Sequence, residues 1–418
     1  MRANTWRDAA RVTRSRSLLA SLPVEARVVL QLGDDAPHRW QAEGALPEHI
    51  DWTRMVALAA DANMVSLLSD GIAPPIGDPS EVHDQIRSLA MTAEFRQARL
   101  ADLLASVLSR LGAAGIDVVP LKGAALAIAT YRSFGERPMG DIDLLVRRGD
   151  AERARQEMLG AGWETEPGLA GASYEHHHHL PPLLDPGGSG VALELHTDLF
   201  PTGHPFEPLR RLLWSGAERV EWQGRPVHVP RPAHHLVYVA LHLAWSHQMG
   251  FGGVRALRDM RTLIERHAPD WDGVCQVATT VRGGSGCYWT LRLARHLAGA
   301  EVPKAVLARL RPPGPEALHK ALERHFAHQL FPLPSRCPSI SIGRAAWRLA
   351  MRPGWSGHGR TRPWDHAADF HDGGHPPGLG ARVTGHLRDR SRWHLYLRAL
   401  LGAAGPRMGA GDRRPVHR

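Results

Sequence analysis

Two carboxylates stand two residues apart at the start of an apolar run, within the stretch Arg137–Val146, which reads RPMGDIDLLV. Side chains on a strand alternate between its two faces, so Asp141 and Asp143 are predicted to point to the same face. Two carboxylates on one face can hold a hard cation such as Mg²⁺, which prefers oxygen ligands. The stretch therefore predicts a site for a divalent cation.

A third carboxylate lies in a second apolar run, Val191–Leu199, where Ala192, Glu194, His196 and Asp198 are predicted to share one face of a strand. Such a set of carboxylates suits two-metal phosphoryl transfer, in which the two aspartates bridge two Mg²⁺ ions and Glu194 completes the second site. One ion would hold a nucleoside triphosphate, and the other would lower the pKa of an acceptor hydroxyl. The hydroxyl would then attack the α-phosphorus in line, and pyrophosphate would leave.

The spacing of apolar residues predicts the regions that position these groups. Residues 1–114 are predicted to be helical, 115–230 to form an α/β core, and 231–351 to be helical again. Residues 352–418 are predicted to comprise an irregular segment, a terminal helix and a basic, disordered tail. The three carboxylates all belong to the predicted core.

Individual elements follow from the same patterns and from turn residues. The predicted strands are Ile116–Leu121, Asp141–Val146 and Val191–Leu199. The segment Val220–Val229 is predicted to form a hairpin around Gly224. The predicted helices are Pro47–Leu68, Ser80–Leu111, Gly123–Tyr131, Asp150–Leu159, Ala233–His247, Val254–His267, Trp271–Val281, Cys287–Ala298 and Pro303–Arg311.

Charge and cysteine content limit the partners and the compartment. The chain has 418 residues, a formal net charge of +9 and a pI of about 10.1, which permits attraction to nucleotides, nucleic acids or acidic surfaces. The basic excess is not interleaved with aromatic residues in one stripe, so nucleic-acid binding is not indicated. The 3 cysteines are odd in number and lack metal-ligand spacing, which favours a reducing cytoplasm.

Neither a secretory signal nor a membrane span is predicted. The arginine-rich N-terminus is broken by Asp8 and lacks a continuous apolar segment. The longest apolar run, Leu236–Trp245, is far shorter than a bilayer requires and contains His242. We therefore expect a cytoplasmic protein without a membrane partner.

Several motifs together resemble one known family. They are Leu121–Leu126 (LKGAAL), Arg137–Val146, His178–Leu183 (HHLPPL), Leu193–His196 (LELH), Leu241–Leu243 (LHL) and Leu257–Asp259 (LRD). Over about residues 50–300 the chain resembles the bacterial uncharacterised nucleotidyltransferases of the DNA polymerase β-like superfamily. The resemblance implies an α+β fold, with a polymerase β-like core of a small mixed sheet and helices between N- and C-terminal helical regions.

The resemblance also implies two Mg²⁺ ions, a nucleoside triphosphate as donor, and metal ligation by Asp141, Asp143 and Glu194. The superfamily usually has Gly-Ser at its first motif, whereas this chain has Lys122, Gly123 and Ala124 and lacks the serine. Gly123 can still bring backbone N–H groups close to a phosphate at a helix N-terminus, and the positive charge of Lys122 can attract that phosphate. The expected nucleotide-binding residues are Lys122, Gly123, Ala124, Arg137 and Gly140, and the expected pocket residues are His179, His196, His242 and Asp259.

Several of these residues also have a structural interpretation. An Asp-x-Asp pair can form a turn or cap, Glu194 can lie on a strand surface, and Lys122 can be a solvated strand end. Arg137 can bind phosphate bidentately or pair with Glu136 or Asp141.

The expected reaction is transfer of a nucleoside monophosphate, most simply AMP, to a hydroxyl or similar acceptor on a small molecule, peptide or protein. The alternative is a non-catalytic nucleotide-binding or interaction protein that retains the fold. A third hypothesis, a metallohydrolase built on the run His176–His179, would require a tightly bound transition metal.

Overall fold

A computed structural model describes residues 15–32, 50–69, 80–165, 174, 177–201, 204–250, 253–331 and 340–351. The predicted terminal helix and basic tail within 352–418 lie outside the described residues, as does His176. Among the described residues, none of the helices combines the length and apolar character that a bilayer span needs.

The core of the fold is a mixed sheet of five strands in the order β1-β2-β5-β4-β3. Strands β2 and β5 are parallel neighbours, and the other pairs are antiparallel. The strands are β1 (Val118–Pro120), β2 (Asp141–Val146), β3 (Glu164–Thr165), β4 (Leu183–Leu184) and β5 (Ala192–His196). A separate antiparallel hairpin pairs β6 (Ala217–Trp222) with β7 (Arg225–Pro230).

Helices precede, interrupt and follow the sheet. The first group is α1 (Arg16–Ala20), α2 (Val24–Val29), α3 (Trp52–Asp61), α4 (Ser66–Ser69) and α5 (Ser80–Ala113). Between strands lie α6 (Lys122–Ala129), α7 (Ala151–Gly160) and α8 (Glu207–Ser215). The last group is α9 (Pro232–Leu241), α10 (Gly253–His267), α11 (Trp271–Thr280), α12 (Gly284–Leu293), α13 (Lys304–Leu310), α14 (Glu316–Leu330) and α15 (Ile340–Met351). The predicted α+β class with a small mixed sheet is confirmed.

Burial explains why β2 reads as a nearly continuous apolar run. Helix α5 lies over the sheet and contributes Leu100, Leu104 and Leu111 to the same buried cluster as Ile142 of β2 and Leu193 of β5. These α5 leucines recur at intervals that place them on one helix face. Central strands with both faces covered are apolar throughout, so the buried Asp143 is an exception that requires polar partners.

Several predicted boundaries shift for identifiable reasons. The predicted strand Val191–Leu199 ends at His196, and Asp198 turns to accept a hydrogen bond from the Leu199 N–H at 2.8 Å. The described part of the predicted helix Pro47–Leu68 contains two helices, separated near Asn63, whose φ of 52° is left-handed. Helices α9 and α12 each continue as one π turn. Helices α14 and α15 lie in the region predicted to be helical, but their individual bounds were not predicted.

Candidate active site

The register between β2 and β5 brings two of the predicted carboxylates together. Asp143 is paired with Glu194 across the parallel strands, and His196 follows two residues later on the same face. One oxygen of Asp143, one of Glu194 and one ring nitrogen of His196 all lie within 4.8 Å of one another. Asp143 and His196 are buried, and Glu194 is half-buried, so this group forms a polar centre inside the core.

Asp141 lies at the start of β2, at the edge of this centre. Its side chain is exposed, although surrounding protein atoms still deprive it of solvation. That loss of solvation, together with repulsion from Asp143 and Glu194, raises the pKa of Asp141 to about 6. Asp141 therefore adds a third carboxylate where negative charge already accumulates.

Lys122 provides a positive charge at this centre. The Leu121 N–H donates to the Asp143 carbonyl at 2.9 Å, which brings the next residue beside the Asp143 side chain. Lys122 has a left-handed φ of 44°, a conformation that costs a non-glycine residue about 1–3 kcal/mol. Its Nζ donates to Oδ1 of Asp143 at 2.8 Å. Burial alone would lower the pKa of Lys122, but attraction to Asp143 more than offsets it and the pKa rises.

The first turn of α6 follows directly and carries the other residues of the predicted first motif. Gly123 and Ala124 are buried. A side chain at Gly123 would meet the Met139 side chain at 3.3 Å and Nη1 of Arg137 at 3.4 Å, so the loop before β2 packs closely on this turn. No side chain caps the N-terminus of α6, which leaves backbone N–H groups of the first turn available to another acceptor.

His196 contacts both strand carboxylates. Its Nε2 lies 2.8 Å from Oδ1 of Asp143 and 3.2 Å from Oε2 of Glu194, while Nδ1 is buried without a hydrogen-bond partner among the described residues. Burial would lower the pKa of His196, but its hydrogen bonds to Asp143 and Glu194 raise it. Burial would raise the pKa of both carboxyls, yet Lys122 lowers that of Asp143 and His196 lowers that of Glu194.

Further histidines border the same face. Residue 179 forms an isolated antiparallel bridge with His196, and the ring centroids of His178 and His179 each lie 5.2 Å from that of His196. Burial lowers the pKa of His178 and His179. His242 begins the π turn after α9, and burial followed by the charge of Lys122 holds its pKa well below the usual value. Of the predicted pocket histidines, His179 thus packs beside His196, and His242 is close enough to Lys122 for its charge to lower the pKa of His242.

Arg137 and Asp259, predicted separately as nucleotide-binding and pocket residues, bind each other. Nε and Nη2 of Arg137 donate to Oδ1 and Oδ2 of Asp259 at 2.6 and 2.8 Å, and Nη1 donates to the Pro138 carbonyl at 2.9 Å. The Tyr131 hydroxyl donates to Oδ1 of Asp259 at 2.9 Å. The partner of Arg137 is therefore neither Glu136 nor Asp141, and the pair joins α10 to the loop before β2.

Gly140, also predicted to bind nucleotide, ends that loop and lies directly before Asp141. The loop is held by Gln97 of α5, which sequence analysis missed. The buried Gln97 amide donates to the Met139 carbonyl at 2.9 Å and accepts from the Met139 N–H at 3.0 Å. Nothing in the local sequence marks Gln97, because its partner is 42 residues away.

Two further residues near the carboxylates also escaped prediction. Tyr238 is fully buried, and its hydroxyl has no hydrogen-bond partner among the described residues. Burial raises the pKa of Tyr238, and its charged neighbours include Lys122 and Asp143. Arg255 of α10 is half-buried, and the described residues provide it with no hydrogen bond or ion pair. Burial, and then the charge of Arg137, lowers the pKa of Arg255 to about 10.

The centre has the composition of a cation site. Carboxylate oxygens suit a hard divalent ion, and the ammonium of Lys122 already occupies a position beside Asp143 that is favourable for positive charge. Asp143, Glu194 and His196 could hold a metal ion, and the exposed Asp141 lies at the same edge of the sheet.

A family model described as uncharacterised nucleotidyltransferase matches residues 48–299, which is more than half of the chain. The match includes the sheet, α6 and Asp259. No curated protein matches the chain. The chain belongs to this family of uncharacterised nucleotidyltransferases.

Proposed function

We propose that the protein transfers a nucleoside monophosphate, most simply AMP, from a nucleoside triphosphate to a hydroxyl or similar acceptor, in a site of the DNA polymerase β-like kind. The observation that carries the proposal is the register of Asp143 with Glu194, beside Asp141 and the uncapped start of α6. The acceptor belongs to a small molecule, a peptide or a protein.

Asp141, Asp143 and Glu194 would hold the Mg²⁺ ions. The chemistry that these ions supply when bound is charge stabilisation at the phosphates and a lower pKa for the acceptor hydroxyl. The acceptor oxygen forms a bond to the α-phosphorus as the bond from that phosphorus to the bridging oxygen breaks. Pyrophosphate takes the electron pair, and the hydroxyl proton passes to solvent water.

Lys122, the first turn of α6 and Arg255 are the groups proposed to bind the triphosphate. The N–H groups at the start of α6 have no side-chain cap and can donate to phosphate oxygens. Arg137 is already neutralised by Asp259 of α10. Arg255 lies one turn before Asp259 on the same helix and has no hydrogen bond or ion pair among the described residues. Positions four apart lie on the same helix face, so α10 would present Arg255 beside the loop that Arg137 anchors.

We extend the proposal to domain organisation. Residues 115–230 are the catalytic core, residues 1–114 form a helical region in front of it, and the helical region 231–351 forms the other wall of the cleft. Arg255 and His242 both come from that wall.

The test of the reaction is incubation of the purified protein with each labelled nucleoside triphosphate, Mg²⁺ and a metabolite or lysate pool, with mass spectrometry for an added nucleoside monophosphate. Asp141→Asn and Asp143→Asn should abolish Mg²⁺-dependent turnover. Asp272→Asn is the matched control, because this exposed carboxylate pairs with Arg309 on the surface. Unaltered turnover in the first two variants would overturn the proposal.

Arg255 is tested by binding. Loss of a hydrogen bond to a charged group costs about 1.5–3 kcal/mol, so Arg255→Ala should weaken binding of ATP by about 10- to 100-fold. The control is Arg261→Ala on the same helix, since Arg261 pairs with Glu265. Equal ATP affinity in both variants would remove Arg255 from the site.

Ala124 supports a second candidate, a nucleotide-binding protein without catalysis. Ala124 is buried and stands where the superfamily usually has a serine hydroxyl. Calorimetry with ATP, with and without Mg²⁺, combined with an assay for pyrophosphate release, separates the two candidates. Binding without release across a broad acceptor screen would favour the non-catalytic one.

A further inference from the structure

The imidazole of His196 faces the space between two carboxylates that belong to different strands. Its Nε2 lies 2.8 Å from Oδ1 of Asp143 and 3.2 Å from Oε2 of Glu194. Adjacent ligands of an octahedral ion with bonds of about 2.1 Å are separated by about 3.0 Å. Both distances are therefore close to the spacing of neighbouring ligands around one metal ion.

The surroundings of His196 keep the ring in this position. The residue is fully buried at the end of β5, and its backbone pairs with His179 in an antiparallel bridge. The His178 and His179 rings pack beside it. A cation bound between Asp143 and Glu194 would thus face either an N–H proton, which repels it, or the nitrogen lone pair, which binds it.

We propose that His196 is itself a ligand of the divalent cation, so that Asp143, Glu194 and His196 form a mixed oxygen and nitrogen site that prefers a first-row transition ion such as Mn²⁺ to Mg²⁺. The proposal deepens the proposed function and uses the same site. Mg²⁺ retains oxygen ligands, whereas imidazole binds transition ions more strongly. Replacing one carboxylate or water ligand by a nitrogen therefore shifts selectivity toward the transition ion.

The competing role for His196 is that of a hydrogen-bond donor that only orients Asp143. A single N–H shared between two oxygens at 2.8 and 3.2 Å is compatible with that role. The two roles differ in one observable, because only a ligand brings its nitrogen into direct bonding with the metal. The test must therefore detect a metal–nitrogen bond rather than activity.

The experiment is pulsed electron paramagnetic resonance of the full-length protein loaded with Mn²⁺ alone. A directly bound imidazole should produce ¹⁴N couplings, and labelling histidine with ¹⁵N should change their frequencies. His196→Gln should remove the couplings while His228→Ala, on the exposed face of the hairpin, should keep them. Because the labelling acts on the wild-type protein, it detects ligation by histidine even if His196→Gln fails to fold.

Calorimetry provides the second measurement. Substitutions in the outer shell of a metal site typically cost 10- to 100-fold in affinity, so losing a ligand should weaken Mn²⁺ binding by at least about tenfold. Mg²⁺ binding should change much less, so the preference for Mn²⁺ should fall in His196→Gln. Bound Mn²⁺ without nitrogen coupling would overturn the inference while leaving the proposed function intact. A wild-type protein that binds no divalent ion and shows no turnover would instead overturn the proposed function.

Discussion

Nζ of Lys122 donates to Oδ1 of Asp143 at 2.8 Å, across 21 residues of sequence. The contact follows from the Leu121 N–H bond to the Asp143 carbonyl and from the left-handed φ of Lys122. The ammonium occupies the side of Asp143 where positive charge is favourable. Lys122 is therefore positioned both to attract a phosphate and to compete with a cation for Asp143.

Substitution of Lys122 should separate these two effects. In Lys122→Met we expect tighter binding of Mn²⁺ alone, because the carboxylates lose a competing cation. ATP binding in the presence of Mg²⁺ should weaken by about tenfold or more, because one charged hydrogen bond is lost. Calorimetry measures both affinities.

The other lysines provide the controls for this prediction. Lys304 and Lys320 are exposed, so their methionine variants should leave both affinities unchanged. Circular dichroism checks that each variant is folded. A fall in both affinities in Lys122→Met would show that the lysine supports the carboxylates and does not compete for them.

Local sequence patterns predicted the helices and strands better than they predicted which strands pair with each other. The bounds of β2 were predicted because its apolar run and preceding Gly140 are contiguous in sequence. The two-residue strands β3 and β4 carry too few side chains for any periodicity. Sequence pattern alone also could not supply the register that joins Asp143 to Glu194, since strand pairing is a non-local property.

The same limit applies to polar partners. Arg137 was recognised as an arginine that could bind phosphate, but its partner Asp259 is 122 residues downstream. Gln97 and Arg255 have no distinctive neighbours in sequence, and only the packing of α5 and α10 brings them to the site. The carboxylates were predictable because acidic residues are rare within apolar strands. A single glutamine or arginine on a helix is common, so it gives no such signal.

Gln97 should stabilise the loop that leads to Asp141. In Gln97→Leu, the buried N–H and carbonyl of Met139 lose their partners, each at a cost of about 1–3 kcal/mol. We expect a lower free energy of unfolding in urea and lower turnover. Gln156→Leu is the control, because Gln156 is exposed and bonds only to Glu152 in its own helix. Equal effects of the two substitutions would contradict the proposed role of Gln97 in holding the loop before Asp141.

Glu323 should make the stability of the helical region depend on pH. Burial would raise the pKa of this carboxyl, but hydrogen bonds from His296 and Arg292 lower it below the usual value. Arg292 donates to Glu323 at 3.0 Å, and both partners come from α12 and its π turn. A lowered pKa means that the folded state favours the ionised carboxylate. The stabilisation is thus complete above the unfolded pKa of about 4.3 and is lost as the pH falls through the folded value.

The corresponding measurement compares wild type with Glu323→Gln in urea between about pH 7 and pH 3. The variant should be less stable at pH 7, and the difference in the free energy of unfolding should shrink as the pH falls. Glu207→Gln, which breaks the pairs of a solvent-exposed carboxylate with Arg210 and Arg211, should show little difference at any pH. If the difference in the free energy of unfolding between wild type and Glu323→Gln stayed constant with pH, ionisation of Glu323 would not contribute to stability.

The buried pair of Arg137 and Asp259 should be strongly coupled in stability. Asp259→Leu leaves a buried guanidinium without its carboxylate, which typically costs about 3–5 kcal/mol. The double variant Arg137→Met with Asp259→Leu should be more stable than Asp259→Leu alone, because the second substitution removes the unpaired charge. The free energies of unfolding of the wild type, both single variants and the double variant form the required cycle.

The hydrogen bond from Tyr131 to Asp259 affects the interpretation of that double-mutant cycle. Its hydroxyl donates to the same Oδ1 of Asp259 that Arg137 contacts, so every variant without Asp259 also loses this bond. That loss is common to Asp259→Leu and the double variant and cancels between them, leaving the coupling between Arg137 and Asp259. Additive single effects would mean that the pair does not stabilise the fold as a unit. Strong coupling accompanied by lost turnover in all three variants would tie the anchoring of α10 to the geometry of the loop before Asp141.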